Sequence, residues 1–228
     1  EARNCIAWGN ARSNLFLSGA GNVVETCDSL PAPPGVGNRD TDPLFRNAAA
    51  GDYRLRYASP AIDSGTASEL LLDLDGLPRP LDGTFDGTSV ADIGAYEYDP
   101  ETADSNGDGI PDWWYHSYSL DPNGTDVANE HADADGFDNR AEWIALTDPT
   151  NSASHFAIQS ASNAPVRLLG FDSRTNRLYL LQRCTNLNEE TWLALPGVSA
   201  RFGAGGPDAM ADSNAPSPAA YRVQVEIP

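Results

Sequence analysis

Two stretches of this chain carry side chains whose types and spacing suit the capture of a hard cation. The first runs Asp104-Ser105-Asn106-Gly107-Asp108-Gly109-Ile110-Pro111-Asp112, and the second runs His131-Ala132-Asp133-Ala134-Asp135-Gly136-Phe137-Asp138-Asn139-Arg140-Ala141-Glu142. Both approach the D-x-[DN]-x-[DN]-G-x5-E calcium loop. In such a loop the side chains at positions 1, 3 and 5 converge on one point, and a glycine at position 6 makes the sharp turn. Position 7 offers a backbone carbonyl, position 9 acts directly or through water, and position 12 closes the site with two oxygens. The first loop thus offers Asp104, Asn106, Asp108, the carbonyl of Ile110, and Asp112, with Tyr115 where the closing glutamate belongs. The second offers Asp133, Asp135, the carbonyl of Phe137, Asn139 and Glu142, with His131, a poor ligand for a hard cation, at position 1. Each loop is defective at one end, and the ends are opposite. Asp121, Glu130 and Asp148 are the neighbouring groups that could fill the gaps. The expected cofactor is Ca2+. The competing reading is a solvated acidic linker. Residues 99–150 hold thirteen Asp or Glu against the single Arg140, a density that repels itself without a cation.

The elements that position these loops are short. Pro111 is a favoured helix-start residue, and Trp113, Trp114 and Tyr118 follow it at helical spacing. Trp143, Ile144 and Leu146 do the same after Glu142. These aromatics read as core rather than as a ligand platform. A segment this small, 99–154, needs its apolar contacts and the metal together. The run D-S-N-G-D-G-I-P-D-W-W…S-L-D-P, followed by D-A-D-G-F-D-N-R-A-E-W…L-T-D-P-T-N, resembles the paired calcium repeats of secreted bacterial surface proteins, which are similar to thrombospondin type three and dockerin loops. That family carries Glu where Tyr115 stands and Asp where His131 stands.

Composition narrows the function classes. The 228 residues suffice for two or three small domains, and the net charge of −19 argues against nucleic acid and anionic membranes as partners. All fourteen basic residues are arginine, so Schiff-base, P-loop-lysine and lysine isopeptide chemistry is excluded. Three cysteines, Cys5, Cys27 and Cys184, cannot form a full disulfide framework. Cys5 and Cys27 could pair or stack in a core, and stacked thiols are the preferred expectation. No apolar run approaches the length of a membrane-spanning helix, and no signal peptide is visible. His116, His131 and His155 lie in no H-E-x-x-H motif, and G-x-S-x-G is absent. The carboxylates that could form a glycosidase pair are already claimed by loop spacing. The expectation is therefore a non-enzyme.

In chain order, residues 1–30 show short apolar bursts: Cys5-Ile6-Ala7-Trp8, Leu15-Phe16-Leu17 and Val23-Val24-Glu25-Thr26-Cys27. Gly and Asn bound each burst, which predicts brief strands joined by turns that tolerate positive φ. Such spacing suits the coils of a solenoid, with a small sandwich as the rival. N-C-I-A-W-G-N, D-P-L-F, D-Y-R-L, S-P-A-I-D-S-G, D-L-D-G-L-P-R-P and D-I-G-A-Y-E-Y then resemble the C-terminal end of right-handed parallel β-helix proteins of bacterial surfaces. The resemblance covers residues 1–98 and implies a parallel β-helix closed by an irregular cap. Residues 155–228 show strand-like runs at Phe156–Ile158, Val166–Leu169, Arg177–Arg183, Trp192–Leu195 and Tyr221–Ile227, with residues 203–218 read as a loop rich in Gly, Ala, Pro and Ser. The expected fold class is mainly β: the end of a parallel β-helix over 1–98, an EF-hand-like calcium segment with two short helices over 99–154, and a β-sandwich over 155–228.

The function this implies is an extracellular, cell-surface structural protein stabilised by calcium, a subunit or part of a surface filament. The alternatives are an adhesin or carbohydrate-binding tail, or the C-terminal part of a β-helix polysaccharide-active enzyme. The partner expected at the first coil is either further upstream coils or another copy of the chain, because a bare coil exposes an unpaired edge and an apolar layer. Extracellular polysaccharide is a further candidate partner, whereas nucleic acid and membrane insertion are not expected.

Overall fold

Near the start of the chain, the apolar stretches around Ile6 and Val24 form pairs of parallel strands. The computed structural model describes residues 1–10, 14, 22–67, 69–162, 166–189, 191–216 and 218–228; the expected strand at Leu15-Phe16-Leu17 lies outside them. Two compact units are present, Glu1–Val127 and Ala128–Pro228, so the first acidic loop belongs to one unit and the second to the other. The described residues are mainly β with two short α-helices, and no helix among them is long and apolar enough to cross a membrane.

In the first unit β1 (Ala2–Arg3) pairs in parallel with β3 (Val24–Glu25), and β2 (Ile6–Ala7) with β4 (Asp28–Ser29). A further parallel bridge joins Asp28 to Arg39. In this register Asn4, Thr26 and Gly37 occupy corresponding positions, and all three have positive φ, at 51°, 49° and 72°. Stacked turns of one conformation allow each rung to repeat the last. At Gly37 an added Cβ would lie 2.8 Å from the Thr26 methyl group, so only glycine lets the third rung approach. Asn4 Oδ1 then accepts hydrogen bonds from the Thr26 hydroxyl (2.8 Å) and the Thr66 amide (2.8 Å). Cys5 and Cys27 also correspond, and each thiol donates to the carbonyl two residues before it. Neither is in a disulfide; Cys27 is buried but Cys5 is exposed, so the two do not form a shared buried core. Burial pushes the Cys27 thiol up.

β5 (Phe45–Asn47) and β6 (Asp52–Leu55) form an antiparallel hairpin over a 3-10 turn that the Asn47 side chain caps. Leu55, Ala61, Ile62, Ile93 and Tyr98 form the core of this unit, with Ile6 and Phe45 against it. The stretches S-P-A-I-D-S-G and D-I-G-A-Y-E-Y meet there. The Ile93 amide donates to the Ala61 carbonyl (2.9 Å) and the Gly65 amide to the Ala91 carbonyl (2.7 Å). Beside them lies a buried polar lock. Arg79 faces Glu97 at 3.2 Å and donates to the carbonyls of Asp92 and Gly94. Helix α1 (Asp112–Ser117) follows Pro111 as expected, with Trp114 and Tyr115 fully buried.

In the second unit, helix α2 (Asn139–Ala145) precedes two antiparallel sheets. One sheet has β7 (Ile158–Ala161), β8 (Arg167–Ser173) and β12 (Gly206–Asp212), with β8 central. In the other, β9 (Leu178–Cys184) pairs along its length with β13 (Ala220–Glu226). On its opposite edge β9 pairs with the short β10 (Leu193–Ala194) and β11 (Arg201–Phe202). Leu169, Phe171 and Met210 from the first sheet and Tyr179 and Leu181 from the second form one core, joined by Val223 and Val225. The period-two alternation of Tyr221, Val223 and Val225 thus places one face inward, as strand geometry requires. One expectation is corrected: residues 203–218 are not a continuous loop. Gly206–Asp212 forms a seven-residue strand in register with Arg167–Ser173. Its Gly, Pro and Ala residues have weak strand preference, and pairing with β8 plus burial of Met210 overrides it.

Candidate metal centre

The two acidic loops share a backbone plan. Position 4 has positive φ in both, Gly107 at 76° and Ala134 at 64°, and position 6 likewise, Gly109 at 85° and Gly136 at 101°. Side chains at positions 3 and 5 accept amides two residues on. Asn106 takes the Asp108 amide, Asp133 takes that of Asp135 (3.0 Å each), and Asp108 and Asp135 take those of Ile110 and Phe137 (2.8 Å each). These Asx turns wind each loop inward. The requirement at position 4 went unread in the sequence, although Gly107 signals it. Ala134 meets the requirement at a steric cost that glycine avoids. Ala134→Gly is therefore expected to stabilise the second unit by about 1 kcal/mol, measured as a rise in its melting temperature. An unchanged or lower melting temperature would count against strain at this turn.

The centres of the loops differ. In the first, protein donors satisfy every carboxylate oxygen. Asp104 accepts from the amides of Gly107 (2.8 Å) and Gly109 (2.9 Å). The second oxygen of Asp108 accepts from Asn106 (2.7 Å) and from the Tyr115 hydroxyl (2.8 Å). Asp112 is buried and turned to the Ser105 amide (2.8 Å), the Ser105 hydroxyl (2.5 Å) and the Tyr98 hydroxyl (2.9 Å). Ile110 is fully buried. Tyr115, which replaces the closing glutamate, thus supplies a proton donor on the side from which a glutamate would bring two oxygens. Burial and the Asp112 charge push the Tyr98 phenol well above its ordinary value, which keeps it a donor. Tyr98 lies outside the loop and Ser105 stands at its second position, where the pattern specifies no residue type, so their part was not legible in the sequence.

In the second loop the carboxylates converge without donors between them. Asp133, Asp135 and Glu142 each present an oxygen within 4.8 Å of the others, the one such acidic cluster among the described residues. Asp133 Oδ2, Asp135 Oδ2 and Glu142 Oε2 are all buried and accept no hydrogen bond. Glu142 is only 1% exposed, and its other oxygen takes the Thr147 hydroxyl at 3.3 Å. Burial first, and then the charges of Asp133 and Asp135, push its carboxyl up to about 7. A charged group held in this way calls for a compensating charge. Asn139, the position 9 residue, is buried at the start of α2. The Phe137 carbonyl at position 7 is bonded to Nδ1 of His131, the position 1 residue, at 2.8 Å. His155, unforeseen from the sequence, stacks on Phe137 with ring centroids 5.7 Å apart and approaches Asp135 at 3.7 Å.

The surroundings hold Glu142 in place. Asp138 caps α2 by accepting the Ala141 amide at 2.7 Å, so position 8 points away from the cluster. At the other end Arg177, nearly buried, donates to the carbonyls of Ile144 (2.6 Å) and Trp143 (2.8 Å) and lies over the Trp143 ring at 5.1 Å. These bonds satisfy carbonyls that a helix end leaves open, and they tie α2 to the start of β9. Of the three residues proposed to complete the loops, Glu130 gives its backbone carbonyl to the Asn139 amide (2.9 Å). Asp148 accepts from Thr150 (2.7 Å), Asp121 accepts the Asn123 amide (2.9 Å), and none of the three joins the acidic cluster. The residues able to hold a cation together are therefore Asp133, Asp135 and Glu142, with Phe137 and Asn139 beside them. No family model, curated protein or solved structure matches this chain.

Proposed function

We propose that the chain is a calcium-stabilised, extracellular structural protein whose second loop holds one ion. The observation that carries this reading is Glu142: a buried carboxylate with one unbonded oxygen facing two further unbonded carboxylate oxygens. The donors are all oxygen and lie on a turn followed by a helix, which suits Ca2+ better than a thiolate- or imidazole-seeking metal. Three carboxylates with a histidine at position 1 make a weaker site than a complete loop. Such sites belong to the range of roughly 10⁻⁴ to 10⁻³ M found in extracellular modules. The first loop, closed by Tyr115, Ser105 and Tyr98, serves in this reading as a metal-free replica.

The parallel strand pairs and stacked positive-φ turns of the first unit support the end of a parallel β-helix, and the shared core of the two antiparallel sheets supports a β-sandwich. A non-catalytic role fits the engagement of Asp104, Asp108 and Asp112 with protein donors, which leaves the first loop no free carboxylate pair for chemistry.

Calorimetric titration with calcium should give a stoichiometry of one, and thermal melts with calcium and with chelator should separate. At one hundred times Kd the expected stabilisation is about 2.7 kcal/mol. Coincident melts would end the calcium reading. A stoichiometry of two would instead show that the first loop opens to take an ion.

A further inference from the structure

We propose that an aromatic cleft in the first unit binds a neutral pyranose ring of a glycan. Its inner part, about 250 Å³, is lined by Tyr57, Thr84, Phe85, Tyr98, Trp113 and His116. It continues into an open part of about 540 Å³ that reaches Glu101 and Ser117. Together these volumes fall in the range of small-molecule sites, which are mostly apolar with a few placed polar groups.

Phe85 is the second, independent observation. It stands on the rim with 53% of its surface exposed and a φ of 57°. A bulky aromatic residue adopts that conformation only at a cost, and such outliers gather at ligand sites. The loop is wound into this form by Asp82, whose carboxylate accepts the amides of Asp86 (3.1 Å) and Gly87 (2.8 Å). Backbone strain thus holds an apolar ring in solvent, in the same cleft lining as the partly exposed Trp113 on α1.

The polar groups name the ligand class. The Tyr57 hydroxyl and His116 Nδ1 are bonded at 2.6 Å, which fixes the imidazole with Nε2 on the far side of the ring from that bond. Thr84 donates its proton to Asp63 at 2.8 Å, so its lone pairs are left to accept. Glu101 adds an exposed acceptor at the mouth. Hydroxyl, imidazole and carboxylate beside flat aromatic faces match a ring that is apolar on its C–H faces and hydroxylated at its edge. Glu101 and the net charge of −19 disfavour an anionic sugar. This site does not depend on the cation centre, which lies in the other unit.

The test is calorimetric titration of the full chain with cellohexaose, laminarihexaose and mannohexaose, with choline as the cationic probe, in calcium and again in chelator. At least one hexasaccharide should bind with a Kd below about 1 mM. Phe85→Ala should weaken it about tenfold or more, and Trp113→Phe should weaken it less than Trp113→Ala. Phe85 is exposed, so its variant keeps the fold even if Trp113→Ala does not. Binding of choline alone, binding of none of the probes, or hexasaccharide affinity unchanged by Phe85→Ala would overturn the proposal.

Discussion

Glutamine in place of Glu142 is expected to stabilise the metal-free protein and to remove its response to calcium. The two effects have opposite signs because one side chain causes both. At a pH of about 8 Glu142 is ionised, buried and surrounded by Asp133 and Asp135, which is why its carboxyl rises to about 7. The gap from an ordinary glutamate near 4.5 corresponds to about 3 kcal/mol of strain in the charged, metal-free state. A neutral amide of the same shape relieves much of it and keeps the bond from Thr147. The same exchange removes one of three charges and the two-oxygen closure of position 12, so calcium affinity should fall about a hundredfold or more. Asp138→Ala is the matched control. Its carboxylate caps α2 at 2.7 Å and points away from the cluster, so its loss should cost about 1 kcal/mol with or without calcium. Denaturant melts of the wild type and both variants, in calcium and in chelator, read these terms directly. A glutamine variant that still gains stability from calcium would show that the ion, if bound, sits elsewhere.

The second large effect is a fall in stability of the first unit between about pH 4 and pH 7. Asp92 is 1% exposed, and burial raises its carboxyl to about 7. Amide bonds from Asp63 and Tyr98 oppose the rise, while the charges of Glu97 and Asp63 add to it. The folded group keeps its proton where the unfolded one has lost it. The unfolded state therefore binds fewer protons across this window, and stability declines as pH rises. It is greatest below about pH 4, lost progressively through the folded value near 7, and level above that. The full span is about 4 kcal/mol at most. Asp92→Asn should flatten the profile. It should also weaken the unit at every pH, because the Asp63 (2.8 Å) and Tyr98 (2.6 Å) amides donate to different oxygens of Asp92, and the amide nitrogen that replaces one of them cannot accept. Hydrogen exchange at those two amides, followed against pH with calcium saturating, isolates this unit from Glu142. A profile as steep in the asparagine variant as in the wild type would remove Asp92 as its source.

Much of the β structure was legible from local pattern. The apolar bursts at Ile6 and Val24 became short strands, and Tyr221, Val223 and Val225 became one face of β13, because side-chain alternation is a property of the strand itself. The strand at Gly206–Asp212 was not legible. Its small residues carry little preference of their own, and seven pairings with β8 supply what the local sequence lacks.

The acidic loops divide along the same line. Spacing alone determined that Asp133, Asp135 and Glu142 converge, since positions 3, 5 and 12 of a turn leading into a helix point to one place whatever surrounds them. Spacing also brought the first loop into the same turns, with Gly107 and Gly109 at positive φ like Ala134 and Gly136. Tertiary structure decided what fills each centre. Tyr98, six residues before Asp104, reaches Asp112 through its hydroxyl, and Ser105 and Tyr115 take the remaining oxygens. In the second loop His155 comes only to 3.7 Å from Asp135, and three oxygens stay buried and without a hydrogen bond. A carboxylate at a given spacing knows only its neighbours along the chain. Whether it meets a proton donor or another carboxylate depends on which further side chains the fold packs against it, and that difference separates a turn whose carboxylates all have donors from one that leaves three oxygens unbonded.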